Sequence, residues 1–318
     1  MEILKVMDPA CVRMLLGVFG LLSVATGVGA VLAHRVKGEA GRVTVTNLNA
    51  RIGAWWVMAV VFTGAMALGR VGMTLLFALL SFLALREFIT LTPTRRADHR
   101  ALFSGFFVVT PVQYLAVWMG SERLFELWIP VCAFLLVPLR SAVVGDCAGF
   151  LERAAKIQWA LMVCVYCLSH VPMLLTLSLP GHRDGSMTLL LYLVLVVELS
   201  DVFQYAWGKV MGRHPMAPTV SPSKTWEGLV GGVMTATVLG AALWWATPFR
   251  WWESGLLSME ICFMGFAGGL VMSAIKRDRG VKDYGSLIHG HGGVMDRLDS
   301  LSFAAPLFYH MVRQGWVG

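Results

Sequence analysis

The sequence predicts an all-α, polytopic membrane protein with nine or ten transmembrane helices. Three observations predict it. Of 318 residues, 57% are hydrophobic and 14% charged, against about 25% charged in a soluble domain, and the mean hydropathy is +0.68. Apolar runs recur along the whole chain, most of them near the roughly 20 residues that a spanning helix needs. The loops between them alternate between rich and poor in Lys and Arg, as in a chain threaded back and forth through a bilayer.

In order, the runs are 14–33, 52–69, 71–85, 102–120, 127–139, 157–179, 186–207, 228–247 and 257–275, with a shorter one at about 300–312. Those at 71–85 and 127–139 are short for a span, which predicts kinked helices or helices with snorkelling ends. The first run is expected to be retained. Lys5 and Arg13 lie before it and Arg35, Lys37, Arg42 and Arg51 after it, whereas a cleaved signal carries its positive charge first. Lys plus Arg in successive loops number 4, 1, 4, 1, 3, 1, 3, 1 and 5. The odd loops, among them 208–227 and 276–299, are therefore expected on the cytoplasmic side of a bacterial-type inner membrane. Trp118, Trp128, Trp207, Trp251 and Trp252 stand near segment ends, as interfacial belts require.

The net charge of +7 does not point to nucleic acid. The charges lie in loops that hug the bilayer, where anionic headgroups attract them. Six scattered cysteines give neither a disulfide framework nor a zinc spacing. Cys164 and Cys167 form a C-x-x-C inside an apolar run, which reads as packing.

Two regions are expected: 1–185, helices with basic turns, and 186–318, which carries the chemistry. In the first, only R-E-F-I-T-L-T-P-T-R-R-A-D-H-R at 86–100 is conspicuously polar. It reads as a positive-inside anchor, with Pro93 stopping the helix before it. In the second, Glu198, Asp201 and Tyr205 fall at i, i+3 and i+7 near the end of the seventh run. An acid at that depth costs about 2.5–3.5 kcal/mol, so the pair predicts a polar pocket open to the cytoplasm. Pro215, Pro218 and Pro222 then forbid a continuous helix over 208–228. Thr225 reads as the N-cap of a helix from Trp226, with Lys224 beside an N-terminus that favours phosphate.

Residues 273–299, S-A-I-K-R-D-R-G-V-K-D-Y-G-S-L-I-H-G-H-G-G-V-M-D-R-L-D, form the densest polar run of the chain. Cations, then glycines, then spaced carboxylates suit a polyphosphate and its divalent metal. Ser273, Lys276 and Arg277 share one helical face, and Asp296 and Asp299 sit one turn apart at the start of the last helix.

This run resembles the signature of the phosphatidate cytidylyltransferases, S-x-x-K-R-x4-K-D-x-G-x-x-[LIF]-[PG]-x-H-G-G-x-x-D-R-x-D, through Ser273, Lys276, Arg277, Lys282, Asp283, Gly285, His291, Gly292, Gly293, Asp296, Arg297 and Asp299. His289 stands where that family has proline or glycine. A second block is similar through Asp201, Tyr205, Gly208 and Lys209, followed by S-P-S-K-T-W-E-G at 221–228. The resemblance implies an integral-membrane enzyme, often a homodimer, that joins CTP to phosphatidate with Mg²⁺ and forms CDP-diacylglycerol and pyrophosphate. It assigns Lys276, Arg277, Lys282, Asp283 and Asp296 to the reaction. Ser221, Lys224, Thr225, Ser273, His291, Gly292, Gly293 and Arg297 are assigned to substrate, and Asp283, Asp296, Asp201 and Asp299 to the metal.

Two positions depart from the family's G-D-L-x-E-S: Gly269 stands at its aspartate and Met272 at its glutamate. Glycine there leaves room for Glu198 or Asp201 to supply the missing charge. The departure keeps open a cytidylyl or phosphoryl transferase acting on another lipid phosphate or a polyprenol. A transporter is disfavoured, because the polar residues are confined to one half of the chain instead of recurring in matched halves.

Overall fold

The computed structural model describes residues 8–36, 38–179, 185–287 and 292–317. Its architecture is ten helices and one small two-stranded sheet among these residues. The helices are α1 (Pro9–Arg35), α2 (Glu39–Ala67), α3 (Gly69–Leu91), α4 (Arg96–Met119), α5 (Glu122–Ala142), α6 (Phe150–Thr176), α7 (Gly185–Met211), α8 (Trp226–Ala242), α9 (Trp251–Asp278) and α10 (Met295–Val312). All but α8 and α10 are long and apolar enough to cross a membrane among the described residues. The protein is an integral membrane protein.

Local chemistry sets the element ends. Asp8 caps α1 by accepting from the amide of Ala10 at 2.8 Å, with Pro9 in the first turn, where its missing N–H costs nothing. Thr92 is extended ahead of Pro93, and α3 stops there as the sequence predicts. Both short apolar runs lie in full-length helices, because the helix continues through their polar flanks: α3 reaches past Arg86 and Glu87, and α5 starts at Glu122. Three widened π turns, at Gly105–Val109, Trp128–Ala133 and Met162–Cys167, lie at or ahead of Pro111, Pro130 and Pro172. A proline removes one helical donor and crowds the preceding turn, which a π turn absorbs.

The hairpin of α1 and α2 lies at the periphery, with Leu16, Val24, Val57 and Val60 exposed on surface that only lipid would cover. The most enclosed elements are α6 and α10. In the second half, α7, α8 and α9 pack side by side and α10 packs on α9. Small residues and hydroxyls let these helices approach closely. Ser258 Oγ donates to the Ala236 carbonyl and Ser254 Oγ to that of Gly240, both at 2.8 Å, while Tyr192 Oη donates to the Ser254 carbonyl at 2.7 Å. In the first half the 86–100 stretch, expected as a polar loop, instead continues α3 to Leu91 and opens α4 at Arg96. Its Asp98 makes a buried ion pair with Arg153 of α6 at 3.0 Å, and Arg153 also donates to the Asp146 carbonyl at 2.8 Å.

Candidate active site

The polar residues singled out in the second half collect at one end of the bundle, where the C-terminus of α9 meets the N-terminus of α10. Between α7 and α8 the chain forms a hairpin of β1 (Pro215–Ala217) and β2 (Ser221–Thr225), with Ala217 paired to Ser221. Thr225 caps α8, its Oγ1 accepting from the Gly228 amide at 3.1 Å. Glu227 Oε2 accepts from the amides of Arg213 and His214 at 3.1 and 3.2 Å, which closes the hairpin's base. Glycines of α7 and α8 let β2 sit against both: a Cβ on Gly208 would lie 3.4 Å, and one on Gly228 3.0 Å, from Thr225 Oγ1.

The site residues fall into two clusters. The first is a frame. Lys276 is buried, and its Nζ donates to Asp296 Oδ1 at 2.7 Å. Asp296 Oδ2 accepts from the amides of Tyr284 and Gly293 at 2.8 and 2.9 Å, so both oxygens of this carboxylate are engaged. The turn needs glycine at 292, where φ is +82° and a Cβ would lie 2.8 Å from Asp296 Oδ2. The first half of the chain then completes it. Glu87, buried at the end of α3, accepts from the amides of Val294 and Met295 at 3.0 and 2.9 Å. It thereby satisfies donors that a helix N-terminus otherwise leaves open, at the end of the helix where negative charge is favoured. Gly285 and Gly293 close around that carboxylate: a Cβ on either would lie 2.6 or 2.3 Å from it.

The second cluster lies on the other side of the start of α10. Ser300 links two carboxylates, donating from Oγ to Asp201 Oδ2 at 2.9 Å and from its amide to Asp299 Oδ1 at 2.8 Å. Asp201 is exposed, whereas Glu198, Asp299 and Arg297 are half-buried. Lys224 enters from β2. Its Nζ donates to the Phe266 carbonyl of α9 at 3.4 Å and lies 4.5 Å from the centre of the Phe266 ring. Burial pulls the lysine's pKa below its ordinary value, against the charges of Asp201 and Asp299, which favour the ammonium form. Arg297 Nε is buried with no hydrogen-bond partner among the described residues, an orphan donor of the kind that an anionic oxygen satisfies.

The remaining predicted residues sit as follows. Ser273 Oγ turns back to the Gly269 carbonyl of its own helix at 2.6 Å. Arg277 donates to the carbonyls of Val220 and Val281 at 3.2 and 3.0 Å, tying the hairpin to the end of α9. Lys282 and Asp283 are exposed in the turn after α9, and Ser221 is half-buried at the start of β2. His291 lies outside the described residues, as do Ile288, His289 and Gly290. Tyr205 lies one turn on from Asp201 in the continuous α7, as the spacing predicts. It is exposed, with Lys209 Nζ 5.9 Å from its ring centre. Sequence reasoning missed Glu87 and Ser300. Glu87 carried one signal, as the only acid in α3; a serine one residue after Asp299 carried none.

The two family departures are now placed. Met272 is buried beneath Tyr284, whose hydroxyl donates to the Met272 carbonyl at 3.1 Å. Gly269 faces the second cluster, but its nearest polar neighbour is neither Glu198 nor Asp201. A Cβ on Gly269 would lie 2.8 Å from Lys224 Nζ and 3.9 Å from Asp299 Oδ2. Among the described residues, no group of three or more His, Cys, Asp or Glu side chains is arranged to hold a metal ion. With both oxygens of Asp296 engaged, Asp283 exposed in the turn, and an ammonium and a guanidinium among Glu198, Asp201 and Asp299, these described residues as arranged do not fit a resident divalent cation.

The fold and the site define an integral membrane protein, a helical bundle with acids and cations gathered at one end, Lys276 on Asp296 and Lys224 near Asp201 and Asp299. The chain belongs to the cytidylyltransferase family, whose profile matches residues 49–314. It is 40% identical over 301 residues to the uncharacterized protein YnbB of Escherichia coli (strain K12), an alignment covering 93% of this chain and 96% of that one. It is 27% identical over 257 residues to the phosphatidate cytidylyltransferase of Staphylococcus haemolyticus and 28% over 257 residues to that of Staphylococcus saprophyticus. Each of these alignments covers 79% of this chain and 94% of the relative.

Proposed function

We propose that this cytidylyltransferase family member transfers the cytidylyl group of CTP to the phosphate of a membrane lipid, with phosphatidate as acceptor, so that CDP-diacylglycerol and pyrophosphate form. An oxygen of the lipid phosphate attacks the α-phosphorus of CTP. One P–O bond forms, the bond from that phosphorus to the β-phosphate bridge oxygen breaks, and pyrophosphate leaves with the electron pair. The lipid phosphate is already ionised near neutral pH, so no strong base is needed, and catalysis rests on positioning and on charge opposite the phosphates. Mg²⁺ enters this reading as the counter-ion of CTP, part of the substrate.

The observation that carries the reading is the orphaned Arg297 Nε, buried beside the Asp201–Ser300–Asp299 link. A phosphate oxygen would satisfy it. In this reading Lys282, exposed in the turn after α9, meets the outer phosphates, while Lys276 and Arg277 hold the frame on which that turn rests. The alternation of basic loops supports a cytoplasmic position for this end of the bundle, where CTP is available.

The test is direct. Purified protein is incubated with CTP labelled in its α-phosphate, Mg²⁺ and phosphatidate in mixed micelles, and lipid extracts are examined for label. Labelled CDP-diacylglycerol is the expected result. Label that appears only with polyprenyl phosphate would move the acceptor to the second reading, which the divergent Gly269 keeps open. No labelled lipid with either acceptor would refute cytidylyl transfer.

A further inference from the structure

The second cluster contains its own positive charge. Lys224 comes from β2, Asp201 from α7 and Asp299 from α10, and they meet against α9 at Gly269, which has no side chain. The ammonium lies where a side chain at 269 would begin, 2.8 Å from the ideal Cβ position, and Asp299 Oδ2 lies 3.9 Å from that position. It is held there by the Phe266 carbonyl and ring, and the charges favouring it are those of Asp201 and Asp299. Two carboxylates, each with one oxygen occupied by Ser300, make a poor site for a hard dication, which needs oxygen ligands on most sides. An ammonium group, with three donors and one charge, suits the same space.

We propose that Lys224 is the resident cation of the Asp201–Asp299 cluster, and that Gly269 is the position that decides whether this cluster holds an ammonium group or a divalent metal. A third carboxylate at 269 would enter the volume that Nζ occupies. Nζ ends a flexible side chain and can leave, so Gly269→Asp would convert an ammonium-filled pair into a three-carboxylate metal site. Lys224→Met approaches the same state from the other side, removing the ammonium while keeping the side chain's length.

Metal binding is measured without turnover, so that failure of this inference and failure of cytidylyl transfer are separable. Detergent-purified wild type, Gly269→Asp, Lys224→Met and each variant combined with Asp299→Asn are titrated with Mn²⁺ in the absence of CTP. Free Mn²⁺ is followed by its electron paramagnetic resonance signal. Thermal unfolding and gel filtration confirm which proteins are folded. At least one folded single variant is expected to gain a Mn²⁺ site of affinity about tenfold or more above wild type, through removal of one positive charge or addition of one negative charge near the ion. Asp299→Asn should abolish that gain. Wild type that already binds Mn²⁺ as tightly as the variants, a gain that survives Asp299→Asn, or no gain in either folded variant would each overturn the proposal.

Discussion

The contact between Glu87 and the start of α10 is the most informative to break, because it spans the two halves of the chain. Glu87→Ala removes two charge-assisted hydrogen bonds, from the amides of Val294 and Met295, and leaves both donors buried. At about 1.5–3 kcal/mol for a bond to a charged group, the loss is about 3–6 kcal/mol. Glu87→Gln keeps one carbonyl acceptor and places an NH₂ group against an amide, so about half of that loss is expected. Thermal unfolding in detergent reads the effect, with Glu39→Ala, an exposed acid at the start of α2, as control. At about 2–4 °C per kcal/mol for a large domain, the alanine variant should unfold at least about 5 °C below wild type, with glutamine between the two. Cytidylyl transfer should fall in the same order, because the turn that carries Gly293 and Asp296 is what Glu87 holds. An alanine variant that unfolds within about 1 °C of wild type and turns over normally would show that α3 contributes nothing to the site.

Other expected outcomes follow from the same geometry. Asp296→Asn leaves Lys276 buried without its counter-charge, so a stability loss of about 3–5 kcal/mol is expected in chemical unfolding, together with lost activity. Lost activity at unchanged stability would instead return Asp296 to the metal role first read from the sequence. Lys282→Met removes an exposed charge and should raise KM for CTP about tenfold with little change in stability, whereas Arg277→Met, which frees the Val220 and Val281 carbonyls, should lower kcat and the unfolding temperature together. Steady-state kinetics beside thermal unfolding separate the two, and the reverse assignment would refute the division into frame and substrate residues. Native Cys147, exposed in the loop between α5 and α6, should react with a membrane-impermeant maleimide only after cells are permeabilised. Labelling of intact cells would place the loop, and by alternation the site, on the outer side.

Much of the fold could be read from the chain because a bilayer imposes a length and an apolar content on anything that crosses it. Where the reading fell short, local charge had masked a continuing helix, as at Arg86 and Glu87 in α3. The helix break before Trp226, the Thr225 cap and the end of α3 before Pro93 were legible because proline and threonine act on the backbone within a residue or two, but the pairing of that break into a β-hairpin was not. The division of the signature into two clusters was not. Asp296 and Asp299 are one turn apart, yet one faces Lys276 and the other Gly269, and only the packing of α10 against α9 decides which. The approach of Lys224 to Gly269 was equally out of reach, since it depends on where a loop settles between three helices.

The clamp on α10 also bears on how the protein is made. Glu87 and Val294 are 207 residues apart in the chain. At about 5–20 residues per second, roughly 10–40 s separate the synthesis of the carboxylate from that of its partners. During that interval α4 to α9 are made in turn, while the end of α3 still lacks the amides it will hold. Glu87 stands one turn before the end of α3, near the Arg-rich stretch 95–100, where water can cover it in the meantime. The nascent chain can thus wait in the bilayer without burying a bare charge, and the contact between the two halves forms only when the last helix is released from the ribosome.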